Sequence, residues 1–267
     1  MGVSVPVRAR AIPAALAMPL LLFLAVPVVM LVARTTPGEV VGELGDRETV
    51  QAIVLSLGTS TASLLVSIGF GIPLAYWLAH TRSRFAPVIE TLVDLPTVLP
   101  PSVAGVALLL ALGRTGPIGS WLGSMGVELA FTTAAVVLAQ VFVASPYFVR
   151  AARAGFASVD TAQREAAINL GASRWVEFRA VLAPQAAPSL GAGAAMCWSR
   201  AVGEFGATII FAGNLPGRTQ TMPLAVYIGF ENGLDRALVL STILIGLSVM
   251  VLLAVRMSGW RPSGPLG

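Results

Sequence analysis

Five stretches of this chain run without a formal charge for long enough to cross a lipid bilayer, and a sixth is interrupted only twice. Residues 11–33, 49–79, 95–113, 129–149 and 237–255 contain no Asp, Glu, Lys or Arg. Residues 180–217 are broken only by Arg200 and Glu204. A helix rises about 1.5 Å per residue and the hydrocarbon layer is about 30 Å thick, so about 20 apolar residues make one crossing. The chain therefore reads as an all-α membrane protein with six spanning helices. They are placed near 14–33, 53–79, 91–112, 130–150, 189–213 and 237–256.

Composition agrees. The chain is 56% hydrophobic and 11% charged, where soluble domains carry about 25% charged residues. Its 17 basic residues are all Arg. They are spread along the loops and form no basic face interleaved with aromatics, which argues against nucleic acid as a partner. Cys197 is the only cysteine and His80 the only histidine. No internal disulfide can form, no Cys-based metal site exists, and no metal or cofactor bound by this chain is expected.

The arginines also orient the chain. With the N-terminus in the cytoplasm, 11 of the 17 fall on the cytoplasmic side and five outside, with Arg200 inside a span. Both termini are then cytoplasmic, as an N-terminal segment 1–13 and a short tail 257–267 flanking a transmembrane domain 14–256. Arg8 and Arg10 before an apolar run resemble a secretory signal. The run holds Pro13, Pro19 and Pro27 and is followed by no small-x-small cleavage site, so a retained first span is expected.

The longest cytoplasmic segment, about 158–184, carries its own structural signals. Asp160 or Thr161 can cap a helix. Ala162, Ala166, Ala167 and Leu170 give that helix a small-residue face, and Gly171 suits a left-handed C-cap. Ser173 can start a second short helix bearing Trp175, Phe178 and Leu182, and Pro184 and Pro188 punctuate the start of the fifth span. An alanine-rich helix suits close protein packing better than a lipid surface. A helix lying on the membrane, held by Trp175 and Phe178, is the competing reading.

Glu165-Ala166-Ala167, three residues, Gly171, nine residues, then Val181-Leu182-Ala183-Pro184 resembles the "EAA" motif of bacterial ABC-importer permeases. Val181 and Ala183 depart from its Ile and Leu positions, apolar for apolar. Ser199 to Thr208, Phe211 to Asn214, Pro216 to Tyr227 and Asp94 to Gly105 are similar to the molybdate and tungstate permeases, with sulfate permeases as near relatives. The resemblance implies the type I importer architecture. In it, Glu165, Ala166, Ala167, Gly171 and Pro184 belong to a coupling helix docked in a separate cytoplasmic ATPase. It also implies a homodimer, a periplasmic oxyanion-binding protein, and a bacterial inner-membrane location. ATP would be bound by the partner subunit, since this chain holds no G-x-x-x-x-G-K-[ST] phosphate loop.

Charge inside a span is costly and usually faces a bundle interior. Arg200 and Glu204 are four residues apart and share a helix face. They are an ion pair locking the fifth span, or Arg200 faces a path for a dianionic oxyanion, or the fifth span begins earlier and leaves Glu204 near the outer interface. Pro96, Pro100 and Pro101 remove backbone donors within one span, so that span is expected to bend and line the central path. Gly69, Gly71, Gly203 and Gly206 are expected to permit close helix approach. The outer loop from Asn214 to Asp235 is expected to face the binding protein. The functional expectation is the permease subunit of an ATP-driven oxyanion importer, for molybdate or tungstate, not an enzyme. The alternatives are a sulfate or thiosulfate permease, or a self-sufficient secondary transporter. The latter would need midplane carboxylates or an internal repeat, and only Glu204 could serve.

Overall fold

The computed structural model describes residues 7–232 and 234–257, without the side chains of 7–15, 232, 255 and 256. Among the described residues every regular element is a helix. Most of the terminal segments 1–13 and 257–267 therefore lies outside the described side chains, and α1 (Val7–Ala33) already begins inside the first of them. Next comes α2 (Pro37–Leu44), which starts in a capping box: the Thr36 hydroxyl accepts from the Glu39 N–H, and the Glu39 carboxylate from the Thr36 N–H. Helix α3 (Arg47–His80) is capped by Asp46, whose carboxylate accepts from the Thr49 N–H at 2.9 Å.

The third span departs from expectation. It is two helices, α4 (Ala86–Val98) and α5 (Pro101–Leu112), meeting at 116° rather than a single bent one. The cause is local. A residue before proline is pushed out of the helical region, and here Leu99 precedes Pro100, which precedes Pro101. Leu99 and Pro100 are both extended, at ψ of 136° and 134°. Two consecutive extended residues redirect the chain, and Pro101 then opens α5 at a position where a missing N–H costs nothing.

Helix α6 (Pro117–Ser124) is short, and α7 (Thr133–Ala157) is the most buried of the long helices. The segment between α7 and α10 holds α8 (Thr161–Asn169) and α9 (Arg174–Glu177). A π-helical turn over Phe178–Leu182 joins α9 to α10 (Ala183–Val202) without a break. Helix α10 thus starts earlier than residue 189, as one of the sequence readings allowed: Pro184 sits in its first turn, where proline fits, and Pro188 is inside it. After α10 the chain breaks at Gly203–Phe205 and resumes as α11 (Gly206–Phe211). The segment after Asn214 is not an extended loop. Thr219, Gln220 and Thr221 are buried, the Ser56 hydroxyl accepts from the Met222 N–H at 2.7 Å, and α12 (Met222–Asn232) packs beside α13 (Leu234–Met257).

Among the described residues four helices are long and apolar enough to span on their own (α1, α3, α7 and α13), and the broken α4–α5 pair is so when taken together. Helix α10 is also long enough, at 20 residues, but its Ala, Gly and Ser content keeps it less apolar. Helices α3, α7 and α10 form the frame. Phe148, Phe156, Leu182 and Cys197 fill its centre. Small residues set the spacing. A Cβ on Gly71 would stand 2.8 Å from the Phe148 ring, and one on Gly193 would stand 2.7 Å from the Ala151 Cβ. Gly206 is likewise hemmed in, but Gly69 faces open space and Gly203 meets only its own helix, so two of the four expected glycines act in packing.

At the opposite end from α8, Arg236 ties the start of α13 to the α2–α3 corner. It donates to the Thr49 hydroxyl and to Glu48, each at 2.9 Å, and pairs with Asp46. The Asp46 carboxyl is held below the usual range, first by the Thr49 backbone N–H and further by Arg236. Its stabilising effect is present above the unfolded value of about 3.9 and is lost as pH falls through the lower folded value. Asp46→Asn is expected to lower the thermal midpoint in detergent at neutral pH, with the difference from wild type closing as pH falls through the lowered folded value. A deficit that persisted in acid would remove the carboxylate charge as the cause.

Candidate functional site

Two places in this fold expose chemistry that packing alone does not consume. One is the hook formed by α8 and α9. The other is the pair of chain breaks within the membrane.

The hook is locally well specified. The Asp160 carboxylate, rather than Thr161, caps α8 by accepting from the Ala162 N–H at 2.9 Å. The helix ends in a Schellman arrangement: the Ala172 N–H donates to the Ala167 carbonyl and the Gly171 N–H to Ile168. Gly171 adopts φ of +85°, a conformation that strains any residue with a Cβ. The Ser173 hydroxyl then caps α9 by accepting from the Val176 N–H.

What holds the hook is a buried carboxylate that sequence reading passed over. Glu177 is 1% exposed, and Arg164 of α8 donates to it from Nε at 2.7 Å. Gln185 of α10 donates to Gln163 at 2.7 Å. Phe178 stacks on Trp175 and meets Tyr76 and Phe156 at ring distances of 5.8 and 5.9 Å in one aromatic cluster. The only signal in the sequence was an acid among apolar neighbours thirteen residues from an arginine, and that spacing carries no periodic message.

The other face of α8 is left uncovered. None of its residues is buried; Glu165 and Ala166 are exposed, Ala167 is half-buried, and Leu170 is 88% exposed. A polar helix that buries nothing of its own yet is capped at both ends and pinned by an ion pair is a surface prepared for something else. Pro184 belongs to the frame rather than to this face, in the first turn of α10.

Within the membrane the two breaks meet. Gly206 lies against Pro101, where an added Cβ would stand 2.7 Å from the proline Cβ, and Gly105 lies against Ala207 and Ile210. So α5 and α11, each a half-helix begun at a break, pack on one another. Glu204 is 1% exposed. One of its oxygens accepts from the Ala207 N–H at 2.8 Å, covering the open start of α11. The other lies 2.6 Å from Arg200 Nη1, without the alignment of a directed hydrogen bond. The structure thus places Arg200, Glu204 and the Pro100–Pro101 turn at one locus, on either side of Gly206. Pro96 stands apart, inside α4 near its end.

Residues 71–258 match the profile of the binding-protein-dependent transport system inner membrane components. The chain belongs to that family. Among relatives of this transport family, the chain is 36% identical to the molybdenum transport system permease protein ModB of Mycobacterium tuberculosis, covering 88% of this chain and 89% of that one. It is 37% identical to the protein of the same name in Escherichia coli, over 75% and 90% of the two chains. It is 34% identical to the probable transport system permease protein NifC of Clostridium pasteurianum, over 87% and 82%. The fold matches a bacterial ABC transporter involved in the import of alginate, with a TM-score of 0.70 at 18% identity over 94% and 93% of the chains. It also matches the inward-facing MetNI methionine ABC transporter, at a TM-score of 0.61 and 18% identity over 78% and 93%. The chain is a multi-pass inner-membrane transport component of the type I importer fold.

Two variants separate the hook's support from its exposed face. Arg164→Ala strands the buried Glu177 carboxylate, and loss of one partner of such a pair costs about 3–5 kcal/mol. It is expected to lower the unfolding midpoint of the purified protein clearly. Gly171→Ala forces a Cβ into a left-handed turn and costs about 1 kcal/mol. It should leave the midpoint nearly unchanged while reducing uptake several-fold. A Gly171→Ala protein with full transport would show that the turn's geometry is not used.

Proposed function

We propose that this chain is the membrane permease of an ATP-driven importer for molybdate. Its substrate assignment rests on the similarity, over most of both chains, to permeases named for molybdenum transport. Its mechanism rests on one observation: α8 is capped, pinned through Arg164–Glu177 and left uncovered on its outer face.

A separate cytoplasmic ATPase subunit takes that face. Glu165, Ala166 and Ala167 enter its surface, the Gly171 turn fixes the angle at which they are presented, and Pro184 starts the helix that carries the load into the membrane. ATP binds and is hydrolysed in the partner. It favours one conformation of the assembly by binding that state more tightly, and the hook passes the preference to the helices. Two copies of this chain enclose the path, and a binding protein delivers the oxyanion at the Arg236 end. Both termini and the coupling loop, about 158–184, lie in the cytoplasm. The α5–α11 contact, with Pro96, Pro100, Pro101, Arg200 and Glu204, lines or gates the passage.

The test is reconstitution with the ATPase and binding protein encoded beside this chain. ATP-dependent molybdate uptake is expected, with tungstate competing and sulfate competing weakly. Arg200→Gln should reduce uptake at least tenfold while leaving ATPase co-purification intact. Uptake driven by an ion gradient without ATP would overturn the reading, and efficient sulfate uptake would correct the substrate.

A further inference from the structure

A cavity of about 370 Å³ lies between α3 and the hook, lined by Ile72, Pro73, Tyr76, Arg174, Trp175 and Phe178. That volume is in the range of small-molecule sites, about 300–1,000 Å³. Its wall is apolar and aromatic, with one cation.

Three observations say what fits it. The first is depth. Ile72 to Tyr76 lie four to eight residues before His80, the last residue of α3, which is about 6–12 Å above the helix end. Trp77 and Trp175, on the two elements that form the cavity, are exposed by 40% and 66%. Exposed tryptophans at a span's end mark the boundary between headgroups and acyl chains. The second is continuity. Val66, Phe70, Pro73 and Trp77 recur at helical spacing along α3 and are all exposed, so an apolar stripe runs down the outside of the span and reaches the cavity at Pro73. The third is charge. Among the described residues no carboxylate lies within ion-pair distance of Arg174, because Glu177, the acid on the same short helix, is turned to Arg164. The Trp175 indole N–H and the Tyr76 hydroxyl also have no hydrogen-bond partner among the described residues, so the lining holds three unengaged donor groups.

We propose that this cavity binds an anionic phospholipid of the inner leaflet. Its phosphate sits on Arg174 with Trp175 and Tyr76 as further donors, and one acyl chain follows the Val66–Phe70–Pro73 stripe. The lipid then bridges α3 of the frame and α9 of the hook, at the joint that carries α8. A neutral, zwitterionic lipid would fill the apolar wall but leave the arginine less well satisfied, so headgroup charge sets the preference.

The test uses the full transporter complex in phosphatidylcholine nanodiscs with and without phosphatidylglycerol, followed by native mass spectrometry of retained lipid. Wild type is expected to retain phosphatidylglycerol over phosphatidylcholine. Arg174→Gln should lower that retention about fivefold, and Arg82→Gln, an exposed arginine just past the end of α3, should not. A photoactivatable phosphatidylglycerol should crosslink to the peptide containing Trp175, a readout that needs no variant to fold. Equal retention of the two lipids, an unchanged Arg174→Gln complex, displacement by free inorganic phosphate, or crosslinks confined to the ATPase would each overturn the proposal. Lipid binding is read without transport, so its failure is distinct from a failure of the importer assignment.

Discussion

The close packing of α7 on α10 is the joint on which the rest of the molecule depends. Gly155 stands against Ser189 and Gly193 against Ala151, where an added Cβ would come within 2.6 and 2.7 Å of the neighbouring side chain. In lipid there is no hydrophobic gain from moving an apolar helix face out of water, so backbone proximity and dispersion carry the association. The hook is strung between the ends of these same two helices. It leaves the membrane from α7 and returns through the π-helical turn into α10. A force on α8 therefore acts on a pair of helices that cannot easily slide apart.

That force has a short route onward. Helix α10 ends at Val202, and Glu204 just beyond it covers the start of α11 while contacting Arg200 one turn back. Helix α11 rests on Pro101 and Gly105 of α5. These contacts connect the exposed helix α8, through α10, with the two half-helices α11 and α5. Broken backbone is tolerated at membrane depth only where protein or water satisfies it, and here each break shields the other. Such a junction favours discrete arrangements over gradual deformation, because close-packed contacts either fit or do not.

Much of this was legible from residues with a local vocabulary. Charge-free windows placed the spans. Asp160, Ser173 and Gly171 announced the hook, because caps and left-handed turns are read within a few positions of the chain. Legibility stopped where meaning is set by distant partners. Pro100 and Pro101 signalled a bend, but the 116° angle comes from Leu99 and Pro100 both being extended and from α11 being there to receive α5. Residues 214–235 looked like a polar outer loop. Burial of Thr219 and Thr221, and the Ser56 hydroxyl accepting from the Met222 N–H, convert them into a packed turn and a helix. Glu177 had no local mark at all, since its importance comes from Arg164.

The Arg200–Glu204 pair shows how geometry divides a role that spacing leaves joined. Glu204 is fully buried, with one oxygen committed to the α11 backbone and the other to Arg200. Neutralising it would uncover the N-terminal amides of α11 and orphan a guanidinium in low dielectric, a structural loss before any loss of transport. The Arg200 side chain keeps 27% of its surface open. It can approach an anion without leaving its partner, because a guanidinium has five N–H donors and Glu204 engages it from one side. Under the proposed function this divides the labour: the carboxylate would hold the helix break together, and the arginine, its charge already offset, would offer a passing dianion attraction too weak to trap it.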